Sequence, residues 1–225
     1  MTARHQQKSG LFKSFVMAGM AGMASLGVIA LSTSSGLANS RVDCFSADRG
    51  RRIEGCSQLL NGKLNPFSAS LVYAMRALAY SIRGRHTEAL ADYDKSLAIN
   101  PNLPHALNNR AWTYYKLGRP SKGFADVQKA LKLSPRSAHT YDTRAHIHQA
   151  LGHLEKALAD YHSAIRFGGS KIIKLYQCGL QASGLYSGSV SGISSGAFQA
   201  ALETCISDKN CDPLPADEEC RKLTS

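Results

Sequence analysis

Histidines are concentrated in one part of the chain and are the first candidates for metal ligands: His139, His146, His148, His153 and His162. A helical zinc site needs two histidines at positions i and i+4, which share one face of the helix. None of the five has that spacing, and His146 and His148 would point to nearly opposite sides of a helix. The pattern therefore predicts solvated or packing histidines, no metal site and no cofactor.

Catalytic motifs give no stronger signal. The chain has no phosphate-binding P-loop and no HExxH metalloprotease motif, and no nucleophile elbow is expected. Cysteines that are held in disulfides cannot act as nucleophiles. The sequence therefore predicts a protein that is not an enzyme.

An arginine followed directly by an alanine recurs every 34 residues, at Arg76, Arg110 and Arg144. Each is followed 16 residues later by an aspartate, with a glycine midway; the aspartates are Asp92, Asp126 and Asp160. In an antiparallel helical hairpin, residues equidistant from the turn lie at the same level. The spacing predicts an Arg–Asp ion pair that bridges the two helices of each of three hairpins. The alternative is that these arginines contact a ligand.

The same period divides the chain into residues 70–103, 104–137 and 138–171 without a gap. Each unit has a small residue in its first helix and a glycine at its turn; the small residues are Ala77, Ala111 and Ala145. These positions resemble the tetratricopeptide repeat family over about 100 residues. The resemblance implies an all-α solenoid of three stacked hairpins, because no single hairpin can bury its apolar face alone.

The resemblance also implies a concave groove for a protein or peptide, lined by five positions of the first helix of each repeat. Repeat 1 supplies Leu71, Ala74, Leu78, Ser81 and Ile82. Repeat 2 supplies His105, Asn108, Trp112, Tyr115 and Lys116. Repeat 3 supplies His139, Asp142, His146, Gln149 and Ala150. Trp112, the single tryptophan, is the expected anchor and Asn108 the expected contact to a peptide backbone. The alternative is that the C-terminal segment fills the groove and makes Trp112 a core residue.

Both ends of the solenoid need a cap. Residues 39–69 are predicted to cap the first hairpin, through a helix with Ile53, Cys56, Leu59 and Leu60 at helical spacing. Residues 172–225 are predicted to form two helices joined by a Gly/Ser-rich turn, followed by a loop.

Part of this C-terminal segment, residues 171–208, resembles peptidoglycan-binding-like domains. The resemblance rests on Gly184-Leu185-Tyr186, on Gly192-Ile193 and on the Ala-Ala-Leu run of the following helix. Ser191 stands where that family usually has an aspartate, which weakens the implied wall binding. The segment is either a wall-binding module or a structural cap.

All six cysteines follow residue 38: Cys44, Cys56, Cys178, Cys205, Cys211 and Cys220. An even number of cysteines that follow a predicted export signal, residues 1–38, predicts three disulfides in an oxidising compartment. Fifteen pairings are possible. Proximity favours Cys44 with Cys56 and Cys211 with Cys220, which leaves Cys178 with Cys205.

Residues 1–38 are predicted to be a signal peptide. Arg4, Lys8 and Lys13 precede an uncharged run, and Gly36 and Ala38 supply small residues before a cleavage site. The alternative is an uncleaved membrane anchor. Cleavage would leave no stable membrane span and would place the protein in the periplasm or outside the cell, in a bacterial envelope.

Charge narrows the range of partners. The chain carries 27 basic and 16 acidic residues, and the predicted signal removes three basic and no acidic ones, which leaves +8. Acidic partners are favoured, including anionic wall polymers. Nucleic acid is not expected, since the protein is predicted to be exported and its lysines are scattered. The sequence thus predicts an exported scaffold that binds a protein or peptide, with peptidoglycan binding as the alternative.

Overall fold

The computed structural model describes residues 33–208, 211–214 and 220, with side chains from residue 39 onwards. The regular structure of these residues is helical, which confirms the all-α prediction. The helices are α1 (Thr33–Cys44), α2 (Arg49–Leu60), α3 (Pro66–Ile82), α4 (His86–Ile99), α5 (Pro104–Lys116), α6 (Pro120–Leu133), α7 (Ala138–Ala150), α8 (Leu154–Gly168), α9 (Ser170–Ala182) and α10 (Gly196–Ser207). None of these helices is long and apolar enough to cross a membrane. The predicted signal peptide lies outside the described residues, except that its last six residues begin α1.

Three hairpins, α3–α4, α5–α6 and α7–α8, form the centre of the molecule. Each turns at a glycine with positive φ, namely Gly84, Gly118 and Gly152. The amide after each glycine donates back to a carbonyl of the last turn of the first helix, as from Arg85 N to Tyr80 O at 2.9 Å. This left-handed ending satisfies carbonyls that the helix leaves without partners, and it fixes the reversal of the chain.

Small residues bring the two helices of a hairpin close together. Ala77, Ala111 and Ala145 are fully buried where the second helix crosses. Opposite Ala111 stands Gly123, where an added Cβ would lie 2.8 Å from the Ala111 carbonyl oxygen. The hairpins then stack, so that α3 contacts α5 and α5 contacts α7. The first helices of the repeats therefore form one continuous wall.

The three Arg–Asp pairs that the 16-residue spacing predicts are present. Arg110 binds Asp126 through Nε at 2.7 Å and a terminal nitrogen at 2.8 Å. Arg76 binds Asp92 and Arg144 binds Asp160 in the same two-pronged way. The hydrogen bond to the aspartate raises the pKa of each arginine. These arginines are therefore engaged within the hairpins.

The N-terminal cap consists of α1 and α2, which pack on α3. Cys44 and Cys56 form a disulfide with their Cα atoms 4.5 Å apart, as predicted from their proximity. Cys56 and Leu59 of α2 are buried against Val72 of α3.

The C-terminal segment packs on the third hairpin. Tyr176 of α9 and Phe198 of α10 belong to the same buried cluster as Ala145 and Tyr161 of that hairpin. Gln177 of α9 fixes the Gly/Ser-rich turn, because its side chain donates to Ile193 O and accepts from Gly192 N. The segment thus extends the core of the repeats instead of forming a separate one.

Two of the predicted disulfide pairings are wrong. The structure joins Cys205 to Cys211 and Cys178 to Cys220. The Cys211 amide donates to Asp208 O at 3.0 Å, just beyond the last turn of α10. This contact holds Cys211 beside Cys205 and leaves Cys178, on α9, for Cys220.

Candidate interaction groove

The wall formed by α3, α5 and α7 divides into an open half, α3 and α5, and a closed half, α7. In the open half, His105 and Lys116 are exposed, while Asn108, Trp112 and Tyr115 are partly buried. In the closed half, His139 is exposed, but Asp142 and His146 are buried. The predicted groove residues therefore fall into two groups with different environments.

The C-terminal segment covers the closed half. The Gln149 side-chain amide donates to Asp208 O at 3.0 Å and to Cys211 O at 2.9 Å, and its oxygen accepts from the Tyr161 hydroxyl. These contacts bind the main chain beyond α10 to the inner face of α7. A partner could not occupy the same surface at the same time.

A buried ionic cluster completes this cover. One ring nitrogen of His146 lies 2.9 Å from an Asp212 carboxylate oxygen, and the other lies 2.8 Å from Asp142 O. The Asp142 carboxylate accepts a hydrogen bond from the Tyr176 hydroxyl. Burial lowers the pKa of His146, but the Asp142 and Asp212 carboxylates outweigh burial and raise it to about 9. The charged imidazolium is therefore favoured at neutral pH, between the Asp212 carboxylate and the Asp142 main-chain oxygen.

These contacts correct the prediction for repeat 3. Asp142 and His146 were expected to line the groove, but they are buried beneath α9 and the segment Cys211–Leu214. The alternative prediction, that the C-terminal segment folds back, describes repeat 3 only. Trp112 is not enclosed by that segment and remains partly exposed.

Trp112 sits at the boundary between the two halves. Its ring packs against Tyr115 with centroids 5.0 Å apart, and edge-on against His146 at 5.2 Å. The Lys116 ammonium lies 5.5 Å from the centre of the indole ring. These aromatic rings therefore connect the closed half of the wall to the open half, and the Lys116 ammonium lies beside them.

Two adjoining cavities lie along the open half. The polar cavity, of about 340 Å³, is lined by Leu78, Ser81, Ile82, His86, Tyr93, Asn109, Trp112 and Lys116. The apolar cleft, of about 390 Å³, is lined by Phe45, Leu71, Ala74, Met75, Leu78, Leu103, Pro104, His105, Ala106 and Asn109. Leu78 and Asn109 belong to both walls and separate the two spaces.

The polar cavity includes residues that the sequence analysis did not assign to the groove. His86 and Tyr93 come from α4, the second helix of repeat 1, whereas the prediction considered first helices only. Asn109 lies one position beyond the predicted Asn108. They line the cavity because part of α4 is reached between α3 and α5, and the 34-residue period does not predict this.

One catalytic spacing occurs that was not expected. Residues 192–196 have the GxSxG spacing of a nucleophile elbow, but they lie in an irregular segment that leads into α10. Ser194 accepts a hydrogen bond from Gln199, and no histidine hydrogen-bonds to it among the described side chains. A nucleophile elbow requires a strand-to-helix turn, so the spacing has no structural support here. Among the described side chains, no three His, Cys, Asp or Glu residues converge as metal ligands would.

Family models match the part of the chain that forms the first two hairpins. One, described as TPR repeat, matches residues 77–118, and another, described as Tetratricopeptide repeat, matches residues 104–137. Together the two models match residues 77–137. The third hairpin repeats the 34-residue period, the glycine turn and the Arg–Asp pair, so the solenoid consists of three tetratricopeptide-like hairpins.

Two structures of MamA share this fold. A MamA RS-1 ArsTM double mutant is 15% identical, with 76% of this chain and 90% of that chain covered and a TM-score of 0.55. A crystal structure of MamA is 14% identical, with 61% and 78% covered and a TM-score of 0.51. The first TPR domain of human RPAP3 is 27% identical, with 46% and 80% covered and a TM-score of 0.44. No curated protein matches the chain in sequence.

Proposed function

We propose that this tetratricopeptide solenoid is a scaffold that binds an extended segment of another protein at the open half of its concave wall. The observation that carries the proposal is the position of Trp112. It is partly exposed beside the polar cavity, while the equivalent wall of repeat 3 is already covered by the chain itself. A large aromatic ring in such a place is a typical anchor of a protein interface.

The polar groups around Trp112 support an extended peptide as the occupant. The side-chain oxygen of Asn108 has no hydrogen-bond partner among the described residues. This oxygen is buried, and a rotation of the Asn108 side chain would bring it to the groove, where it could accept a hydrogen bond from a backbone N–H of an extended peptide. The closed half offers a comparison, since the Gln149 side-chain nitrogen donates to two main-chain carbonyls there.

Affinity capture from an envelope extract, followed by mass spectrometry, tests this function. Wild-type protein and Trp112→Phe, which keeps an aromatic ring, should retain the same partner. Trp112→Ala should lose it, with melting temperature measured to confirm that the solenoid is folded. Equal capture by Trp112→Ala would place the binding surface elsewhere.

Export is part of the same proposal. Three disulfides support an oxidising compartment, and the predicted signal peptide supports secretion across a membrane. Thiol alkylation of protein taken directly from cells, followed by mass spectrometry, should find no reactive cysteine. Six alkylated cysteines in protein from intact cells would argue against export.

Wall binding through the C-terminal segment is the second candidate. Its support is Ile193, which is 69% exposed in the Gly/Ser-rich turn between α9 and α10. Sedimentation with purified peptidoglycan distinguishes the two functions. If the turn binds the wall, Ile193→Ser should reduce co-sedimentation while Trp112→Ala leaves it unchanged.

A further inference from the structure

The junction between repeats 2 and 3 differs in charge from the junction between repeats 1 and 2. At the first junction, Nη1 of Arg110 donates to the Asp94 carboxylate at 2.8 Å, while its other two nitrogens bind Asp126. The 34-residue period places Gln128 at the position equivalent to Asp94. The carboxylate that links the first two hairpins is therefore replaced by a neutral amide at the second junction.

Arg144, the equivalent of Arg110, keeps the contact within its hairpin but lacks the contact between hairpins. Its Nε and Nη2 each bind Asp160 at 2.7 Å. Its Nη1 has no hydrogen-bond or ion-pair partner among the described residues. Because the guanidinium is planar and its other two nitrogens are fixed, Nη1 must point to the same side as in Arg110. The side chain is 25% exposed, so a charged donor is partly desolvated and unused.

A surface cavity of about 320 Å³ lies at this second junction. Its lining consists of Gln128, Leu131 and Lys132 of α6 and Arg144 of α7. Lys132 is exposed and stands where the first junction has Ala98. The lining thus holds two cations and no carboxylate. It shares no residue with the polar cavity or the apolar cleft, so the site is separate from the proposed peptide groove.

The surface beside this cavity is also basic. The Arg144 guanidinium lies 5.4 Å from the centre of the Tyr141 ring, which stacks on Phe167. Arg136 and Arg166 lie 5.8 and 5.6 Å from the centre of the Phe167 ring. Neither of these two arginines has an ion pair among the described residues. Three arginines are therefore gathered around one aromatic pair, and they add to the positive potential at the junction.

We propose that the cavity between repeats 2 and 3 binds an oxyanion, a phosphate group, in the place that the Asp94 carboxylate holds at the first junction. Nη1 of Arg144 donates to one oxygen, and the Lys132 ammonium binds another. The Gln128 side-chain amide supplies a further donor in the same lining. A phosphate has the several acceptor oxygens and the charge that two cations match. This site is independent of the proposed function of the groove.

Other occupants fit less well. A cation would meet two like charges, and an apolar group would bury the unused nitrogen of Arg144 without a partner. The carboxylate that contacts Arg144 is that of Asp160, and both of its oxygens already accept from Nε and Nη2. A carboxylate ligand carries a single charge and should bind more weakly than a phosphate.

Titration with inorganic phosphate tests the site. Isotope-labelled protein with its disulfides formed is followed by NMR at constant pH, with sodium chloride adjusted to hold the ionic strength. Backbone amide signals from the last two turns of α6, and the Nε–H signal of Arg144, should shift with a millimolar dissociation constant. Acetate is the matched carboxylate probe, and it should bind severalfold more weakly.

Variants of the lining assign the shifts to the cavity. Gln128→Asp restores the carboxylate of the first junction, so it should bridge to Arg144, raise the melting temperature and weaken phosphate binding about tenfold. Gln128→Asn, which stays neutral, should weaken it by no more than about twofold. Lys132→Ala should weaken it about tenfold. Lys122→Gln is the matched control, because Lys122 is an exposed lysine of α6 outside the lining, and it should leave the affinity unchanged.

The first junction allows the converse experiment. The double variant Asp94→Gln, Ala98→Lys copies the second junction and frees Nη1 of Arg110. Phosphate should then also shift signals of α4 and of Arg110, which do not respond in the wild-type protein.

The outcomes decide the proposal. Absence of shifts at α6 and Arg144, or wild-type affinity in Gln128→Asp, would overturn it. Equal weakening by Lys122→Gln and Lys132→Ala would reduce the binding to general charge attraction and would also overturn it.

Co-sedimentation with phosphatidylcholine vesicles that contain phosphatidic acid identifies the source of the phosphate. Vesicle binding that Lys132→Ala loses would support a lipid headgroup at this site. Binding of free phosphate without vesicle binding would support a soluble phosphate compound at the same site.

Discussion

Individual arginines link the helices of this solenoid both within and between repeats. Arg110 binds Asp126 of its own hairpin and also Asp94 of the preceding one, at 2.8 Å. Arg76 makes the corresponding contact backwards to Ser57 of α2. The repeated Arg–Asp pair therefore fixes each hairpin, and the remaining terminal nitrogen of Arg76 and of Arg110 links its hairpin to the preceding helices.

Removing Asp126 should be much more harmful than removing Asp94. The Asp126 side chain is 11% exposed, so Asp126→Asn leaves Arg110 partly buried beside a neutral group and should cost about 2–3 kcal/mol of stability. Asp94 is 57% exposed, and Asp94→Asn should cost less than about 1 kcal/mol. Thermal or urea unfolding measures both. Equal effects would show that the hairpin pair contributes no more than a surface ion pair.

The buried His146 should make the closed half sensitive to alkaline pH. Its pKa rises from 6.5 in the unfolded chain to about 9 in the folded one, so its stabilising charge is fully present below about pH 6.5 and is lost as the pH rises through 9. The other groups of the cluster are Asp142, whose pKa burial raises, and Asp212. Burial raises the pKa of Asp212, but the hydrogen bond and charge of His146, the Leu214 amide and the Lys116 charge together lower it.

Urea unfolding from pH 6 to pH 10 checks this expectation. Wild-type protein should lose stability over the upper part of that range, and His146→Gln should lose less. A pH dependence that is the same in both proteins would show that His146 is not the group responsible.

At the level of helices, α5 and α6 must approach each other closely where they cross. The Gly123→Ala methyl would lie 2.8 Å from Ala111 O and 2.9 Å from its Cα, and neither backbone atom can move aside cheaply. Although alanine favours a helix over glycine by about 1 kcal/mol, the substitution should destabilise the protein by about 1–3 kcal/mol.

Gly50→Ala is the control for this substitution. Gly50 is also helical, but its methyl would meet only the side-chain atoms of Arg83 and Asp48, at 3.2 Å. It should leave the melting temperature unchanged or raise it. Stabilisation by Gly123→Ala would mean that α5 and α6 can separate without cost.

The helices also show which parts of the fold the sequence predicts. The three hairpins can be predicted from residues that recur every 34 positions, because each repeat packs its two helices with the same residue types at equivalent positions. The closed half depends instead on single contacts over long separations, such as His146 with Asp212. A local sequence pattern does not predict such a contact, and the pairing of Cys178 with Cys220 was missed for the same reason.

For the molecule as a whole, the ends are held differently from the middle. The disulfide between Cys178 and Cys220 closes a separation of 42 residues and joins α9 to the tail, whereas Cys44 and Cys56 close one of 12 at the other end. A stacked array opens most easily from an uncapped end, because a terminal repeat has only one neighbour. Each disulfide should therefore protect the hairpin nearest to it.

Replacing both Cys178 and Cys220 by serine should cost about 4 kcal/mol by the entropy of loop closure. Hydrogen exchange should then increase first in α7–α8, next to the loosened cap. The matched Cys44→Ser, Cys56→Ser protein should lose about 3 kcal/mol and should open α3–α4 instead. A uniform increase over all three hairpins in either protein would indicate that the solenoid unfolds as one unit.

The segment Cys211–Leu214 closes one end of the concave groove. A foreign strand that runs along α3 and α5 towards α7 meets the chain's own backbone after it passes Trp112. Such a strand must either terminate there or bend out into solvent. Recognition would then be strongest for partner segments that end, or carry a turn-forming proline or glycine, just beyond the residue seated against the indole.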